Sequence, residues 1–206
     1  MSMSKISLRE VKLINWYGFV NENIPLSENM TLITGENESG KSTILDAIKY
    51  AYTGDYKFNE ATSKNSTGTG KRNLVSYTRC LLDPSAGIYA RPADKMPSVF
   101  THIALEYYDE INQSSFVLGV VLETAAADIK TTGWYAAEKK TLKDLHFTYE
   151  ENGKEKPFLP TLQKFSQNLR RDVEGAALLC RIVQRHACRQ AEAAQRQQRP
   201  LTRQLE

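Results

Sequence analysis

The chain of 206 residues is poor in cysteine and has no long hydrophobic run. Its three cysteines are an odd number and form no Cys-x-x-Cys pair, so a disulfide framework is not expected. The longest apolar stretch, Phe116–Leu122, is far shorter than the ~20 residues of a membrane-spanning helix. The first residues lack the apolar core of a secretory signal. These absences predict a soluble, cytoplasmic protein.

Lysine is missing from the last part of the chain. Residues 170–206 contain no lysine but eight arginines and four acidic residues, whereas residues 1–169 contain 19 basic and 20 acidic side chains. Leu162–Val183 has heptad spacing that fades after Val183. This tail has three interpretations: the start of a coiled coil, a basic arm for nucleic acid, or a frameshifted end, which we favour. We expect a folded unit over 1–160 and a helical tail over 161–206.

Hydrophobic periodicity predicts a mixed α/β fold. Strands are expected over Ile6–Ile14, Asn23–Leu26 and Met30–Thr34, the last a compact apolar run that predicts a buried strand. Helices are expected over Ser42–Tyr52 and Leu74–Leu82. β-Hairpins are expected where Val99–Tyr108 precedes Ser115–Leu122, and where Asn152-Gly153 separates His146–Glu151 from Lys154–Leu159. Asn59–Asn73 is predicted to be a polar loop.

One motif carries recognisable chemistry. Gly35–Ser42 reads G-x-x-x-x-G-K-S, the phosphate-binding loop, between a predicted strand and a predicted helix. Its glycines allow backbone N–H groups to face phosphate oxygens, and the helix N-terminus adds its dipole. Lys41 is expected to act on the β- and γ-phosphates of ATP, and Ser42 to bind Mg²⁺. The predicted nucleotide-binding residues are Gly35, Glu36, Asn37, Glu38, Ser39, Gly40, Lys41, Ser42 and Thr43.

The rest of a hydrolytic site is not evident from the sequence. A P-loop hydrolase needs an apolar strand that ends in an acidic residue to hold Mg²⁺ and position water. Val120–Glu123 and Leu105–Glu110 come nearest to this pattern, but both are better explained as hairpin strands.

A zinc site is not expected in the tail, because Cys180, His186 and Cys188 match no common zinc spacing.

A family resemblance rests on three segments. Val11–Phe19, Ile24–Leu26 and Thr31–Ile48 together resemble the N-terminal head lobe of SMC-like ATPases, the group of the SMC, RecF, SbcC and MukB branches. Within that group, Lys71–Arg79 and Ser115–Val121 look most like the JetC family of Wadjet anti-plasmid systems. Glu38 departs from many relatives, which have glycine at that position.

The resemblance implies a P-loop NTPase fold of the ABC type, with a head divided between the two ends of a longer chain. It implies that a C-terminal half supplies the signature and Walker B motifs, that two heads enclose ATP, and that the assembly acts on DNA. Gln113 and Gln163 are alternative candidates for the family's Mg²⁺-sensing glutamine. Alternatives outside this group are a self-contained small P-loop NTPase or kinase, and a non-catalytic interaction remnant.

Overall fold

A computed structural model of the chain describes residues 6–55, 73–126, 128–147 and 149–156. Two strands and two helices come first, and the other strands follow with one 3-10 helix among them. The elements are β1 (Ile6–Trp16), β2 (Phe19–Pro25), α1 (Lys41–Thr53), α2 (Leu74–Arg79), β3 (Leu81–Asp83), β4 (Ile88–Tyr89), β5 (Val99–Asp109), β6 (Ser114–Thr124), β7 (Ile129–Glu138), the 3-10 helix (Leu142–Asp144), β8 (Tyr149–Glu151) and β9 (Lys154–Lys156).

Five strands form one antiparallel sheet in the order β2-β1-β5-β6-β7. The long hairpin of β5 and β6 runs from the pair Val99–Thr124 to the pair Asp109–Ser114, which confirms the predicted hairpin. The smaller β8–β9 hairpin is confirmed as well. Asn152 and Gly153 both have positive φ angles, 53° and 70°, as the two central residues of a type I′ turn require.

Both faces of the sheet are buried, because side chains on a strand alternate between the two faces. The helix face packs against α1 and α2 and takes β-strand residues such as Leu13, Ile103 and Leu122. The opposite face is covered by the segment around the 3-10 helix. The residues buried between this face and the covering segment are Ile14, Phe100, Ala104, Val117, Val121, Tyr135, Ala137, Leu142, Leu145 and Phe147.

The helix α1 is flanked by two glycines. Gly40 precedes it with a φ of 91°, and Gly54 follows it with a φ of 66° and donates its N–H to the Tyr50 carbonyl at 2.8 Å. Glycine adopts this left-handed conformation at no steric cost, so it is suited to ending a helix. The buried side is formed by Thr43, Ile44, Asp46, Ala47 and Tyr50. The prediction of a helix directly after the glycine-rich loop is therefore confirmed.

The prediction of a buried strand over Met30–Thr34 is wrong for the structure described here. Residues 30–34 form no strand, and Met30 and Leu32 are 79% and 78% exposed. An apolar run becomes a buried strand only if neighbouring strands and helices cover it, and no described segment pairs with this one.

Other predictions hold in part. α2 ends at Arg79, earlier than expected, and Leu81–Asp83 pairs with Ile88–Tyr89 instead of continuing the helix. The sequence did not predict β7, the outer strand of the main sheet.

Most of the polar loop and the whole 161–206 tail lie outside the described residues. None of the helices that the structure describes has the length and apolar character needed to span a membrane.

Candidate functional site

The loop between β2 and α1 holds its curved shape through three residues with positive φ. Gly35 has a φ of 150°, Glu38 of 68° and Gly40 of 91°. Gly35 also lies close to Ser39, since a Cβ added at Gly35 would lie 2.7 Å from the Ser39 Oγ. Two of these positions require glycine for this geometry. Glu38 adopts the left-handed conformation although it carries a side chain. Many members of the SMC-like group that this sequence resembles have glycine at this position.

Lys41 folds back over the loop that precedes it. Its Nζ donates to the carbonyl oxygens of Gly35 at 2.8 Å and Glu36 at 2.5 Å, and lies 3.3 Å from the Ser39 Oγ. The ammonium group therefore lies inside the curve of the loop, where the P-loop chemistry requires a cation for phosphate. Because its partners are neutral oxygens, a phosphate anion can replace them as a stronger partner.

The first turn of α1 is suited to bind an anion. The N-cap, Gly40, has no side chain to accept hydrogen bonds from the first amides, and the first turn contains no acidic residue. The first helical amides also have no partner within their own helix, and the helix dipole adds a partial positive charge. Ser42 is exposed at this end, so its hydroxyl is accessible to a Mg²⁺ ion. The residues present therefore fit a nucleoside triphosphate with Mg²⁺.

A buried indole supports α1 from the sheet side. Trp16 is fully buried at the end of β1, and its Nε1 donates to the carbonyl oxygen of Thr43 at 2.9 Å. Its ring also packs against Tyr50 and Tyr77, with ring centroids 6.1 Å and 4.7 Å away. Trp16 is therefore a core residue, and its burial leaves no face for a nucleotide base.

A tyrosine of α2 makes the second contact with α1. The Tyr77 hydroxyl donates to the Asp46 carboxylate in a short, buried hydrogen bond. The exposed fractions of the two side chains are only 1% and 6%. A hydrogen bond to a buried charged group is stronger than one between neutral groups, and its loss leaves a desolvated charge.

The end of α2 is fixed by a buried arginine. The Arg79 guanidinium donates to carbonyl oxygens of three separate segments. These are the Arg91, Met96, Pro97, Thr124 and Ala125 carbonyls, at 2.7 to 3.4 Å. Burial lowers the pKa of Arg79, because water no longer stabilises its charge. Arg91 in turn donates to the Tyr17 and Thr78 carbonyls, at 2.9 Å and 3.1 Å.

The acidic residues that came nearest to a Walker B pattern are not at the P-loop. Glu106 accepts a hydrogen bond from the backbone N–H of Leu142 at 2.7 Å, on the sheet face away from α1. Glu123 shares the face of Val121, which is also the face opposite α1. Their interpretation as hairpin strand residues is confirmed, and neither reaches Ser42 from there.

Gln113 lies at the wrong end of α1 for a Mg²⁺-sensing role. It sits in the β5–β6 turn, where its Oε1 accepts from the Tyr108 hydroxyl at 3.0 Å. α1 runs from the Trp16 end of the sheet toward this turn, because Tyr52 near its C-terminus packs against Tyr107. The other candidate, Gln163, lies outside the described residues. Within those residues, no group of His, Cys, Asp or Glu side chains could form a metal site.

The loop is evident in the sequence, but the side chains that support it are not. The Trp16–Thr43 and Tyr77–Asp46 hydrogen bonds join residues 27 and 31 positions apart. A third support is Phe19, whose ring packs against Gly40. The signal available in the sequence was the aromatic cluster of Asn15–Phe19 directly before the loop, although its partners could not be inferred from spacing.

Comparisons with known proteins agree with this geometry. Residues 8–65 match a family described as the P-loop containing region of AAA domain. Fifty residues, 24% of the chain, are 34% identical to the DNA replication and repair protein RecF of Brucella abortus (strain 2308), and equally to RecF of Brucella suis biovar 1. The matched stretch covers 13% of the length of those relatives. Both comparisons support a P-loop ATPase region here, and a region of this type implies nucleotide binding.

Proposed function

We propose that this chain is the ATP-binding N-terminal lobe of an SMC-like, DNA-acting ATPase, and that Gly35–Thr43 bind the phosphates of MgATP. The observation that supports this most strongly is the geometry of Lys41. Its Nζ lies on the Gly35 and Glu36 carbonyls inside the curved loop, directly before a helix N-terminus that has no side-chain cap. A cation that lies next to the first amides of a helix is an arrangement suited to binding phosphate groups.

The proposal includes a second segment that completes the fold. Beside the loop, Met30 and Leu32 are almost fully exposed, and Leu45 on α1 is 58% exposed. Exposed apolar side chains of this size favour burial against another element. We assign this cover to the C-terminal half of the head, which would also supply the Walker B acid and the signature motif.

The larger assembly rests on the family resemblance. A second head that encloses ATP, and action on DNA in repair, chromosome organisation or anti-plasmid defence, are proposed on that basis. The JetC-like assignment rests on the sequence segments alone. Because the two segments nearest to a Walker B pattern do not lie at the P-loop, hydrolysis by this chain alone is expected to be absent or very slow.

Titration with a fluorescent ATP analogue and Mg²⁺ tests the proposal. Binding is expected for the parent chain and should be abolished by Lys41→Ala. Lys49→Ala is the matched control, because Lys49 lies on the same helix but forms an exposed ion pair with Asp55 at 3.6 Å. No binding at millimolar ligand by a folded sample would exclude the nucleotide-binding function and favour the interaction remnant.

Release of inorganic phosphate distinguishes the remaining alternative. The proposal predicts no turnover above the level of Lys41→Ala. Rapid turnover by the isolated chain, removed by Lys41→Ala, would contradict the incomplete site and favour a self-contained small P-loop NTPase or kinase.

A further inference from the structure

The P-loop helix is held at two points by side chains of β1 and α2. Trp16 donates from Nε1 to the Thr43 carbonyl at 2.9 Å, in the first turn of α1. Tyr77 donates from its hydroxyl to the Asp46 carboxylate, one turn further along the helix. The two rings also pack on each other, with their centroids 4.7 Å apart. Trp16, Tyr77, Thr43 and Asp46 are called the clamp below.

The clamp is attached to a part of the molecule that is held by many hydrogen bonds. The backbone carbonyl of Tyr77 accepts from the N–H of Tyr17 at 2.7 Å. Two residues later, Arg79 fixes the end of α2 through its buried carbonyl contacts, and Thr78 accepts from the Thr124 hydroxyl at 2.8 Å. The Tyr77 ring therefore extends from a backbone that is itself held by the sheet and by the 91–97 segment.

We propose that Trp16 and Tyr77 are positioning residues for the P-loop, and that they set the nucleotide affinity of the site through α1. This inference rests on the proposed nucleotide-binding function for its effect on affinity. The physical reason is preorganisation. The amides before and within the first turn of α1 bind phosphate best when they already point inward. If the turn is not supported, part of the binding free energy is used to order it, and the measured affinity is lower.

The clamp predicts a local change in backbone opening that does not depend on any ligand. Tyr77→Phe removes one hydroxyl and leaves the ring. Tyr135→Phe is the matched control, because its equally buried hydroxyl contacts His102 at 2.7 Å on the sheet face away from α1. Without nucleotide, amides 41–48 should exchange hydrogen about three- to tenfold faster in Tyr77→Phe than in Tyr135→Phe. Equal exchange in the two variants would overturn the proposal.

Nucleotide titration then tests the effect on the site. At a temperature where every variant is folded, Tyr77→Phe should weaken binding of MgATP about three- to tenfold, while Tyr135→Phe stays within about twofold of the parent. A purely structural role would lower the melting temperature of both variants and leave both affinities equal, which would contradict the positioning role.

A conservative variant tests the hydrogen bond itself. Asp46→Asn keeps an oxygen that can accept from Tyr77, whereas Asp46→Ala removes the acceptor. Binding should remain within about twofold of the parent for Asp46→Asn and weaken about as much as in Tyr77→Phe for Asp46→Ala. If both variants bind equally weakly, the hydrogen bond does not position the loop.

The two measurements separate the possible failures. Faster exchange of residues 41–48 in Tyr77→Phe, with no nucleotide binding by the parent chain, would support the clamp and exclude the nucleotide-binding function. Nucleotide binding by the parent chain with identical exchange and affinity in Tyr77→Phe and Tyr135→Phe would exclude the clamp and leave that function supported.

Discussion

The ring of Phe19 packs directly against Gly40, the residue that joins the P-loop to its helix. A Cβ added at Gly40 would lie 3.0 Å from Cζ of Phe19. Gly40 also has a φ of 91°, in the region that favours glycine. Position 40 is therefore restricted both by its backbone conformation and by an aromatic neighbour on β2.

Gly40→Ala should damage the loop more than it damages the fold. The strained φ should cost about 1–2 kcal/mol of stability, and the displaced loop should weaken MgATP binding at least about tenfold. Gly18→Ala is the control, since nothing lies within 4 Å of its added Cβ. Thermal denaturation and nucleotide titration measure the two effects. Equal affinities for the two variants would show that position 40 does not shape the site.

Glu38→Gly should strengthen phosphate binding. Glu38 has a φ of 68°, which glycine adopts without strain, and its carboxylate adds a negative charge to a loop proposed to bind anions. Removing a charge from this loop should raise affinity about two- to fivefold, less at high salt. Glu38→Gln removes the charge but keeps the strain, so it separates the two causes. Titration at two salt concentrations that shows no gain for either variant would contradict this account.

Gly119→Ala should destabilise the sheet on the face away from α1. Its Cβ would lie 2.3 Å from Cε1 of Tyr135, whose ring crosses the strand at this point. Overpacking of this kind costs about 1–3 kcal/mol. Urea unfolding measures the loss. In a Tyr135→Ala background the same substitution should cost much less, because the ring is gone. An unchanged cost in that background would show that Tyr135 is not the obstacle.

Stability should fall as the pH is lowered through the histidine range. Burial, together with the smaller effect of nearby Lys12, lowers the pKa of His102 to about 3. In the unfolded chain this histidine has a pKa of about 6.5, so below that pH it binds a proton while His102 in the folded chain stays neutral. The free energy of unfolding therefore decreases as the pH falls from 6.5 to about 3. Between pH 7 and pH 5 this group should remove about 2 kcal/mol.

His102→Gln provides the control for this pH dependence, because glutamine can still contact the Tyr135 hydroxyl but does not titrate. Urea unfolding of both proteins at several pH values gives the difference. The parent should lose about 2 kcal/mol more than His102→Gln between pH 7 and pH 5. Parallel curves for the two proteins would show that His102 is not neutral in the fold.

The local sequence predicted those elements whose signals are themselves local. The G-x-x-x-x-G-K-S motif followed by apolar residues at helical spacing predicted α1, and Asn152-Gly153 predicted a type I′ turn. The apolar pattern of residues 99–122 predicted the long hairpin. In each case the residues that determine the structure are neighbours in the chain.

Features that depend on distant contacts were missed. Met30–Thr34 has the composition of a buried strand, yet no described segment pairs with it, and Met30 and Leu32 are exposed. β7 mixes strand-favouring isoleucine, threonine, tryptophan and tyrosine with lysine, glycine and alanine, which disfavour strands, and its pairing with β6 decides the outcome. The supports of α1 come from β1 and α2, so they could be found only once these elements were placed in space.

Hydrogen exchange with and without nucleotide tests the central claim most directly. In the presence of MgATP, amides of Gly35–Thr43 should exchange more slowly, whereas AMP, which lacks the β- and γ-phosphates, should have little effect. Amides of the β8–β9 hairpin should be unchanged and serve as an internal reference. Protection of Gly35–Thr43 that is lost in Lys41→Ala is the result expected here. No protection at saturating MgATP, or protection only elsewhere in the chain, would contradict a phosphate-binding role for this loop.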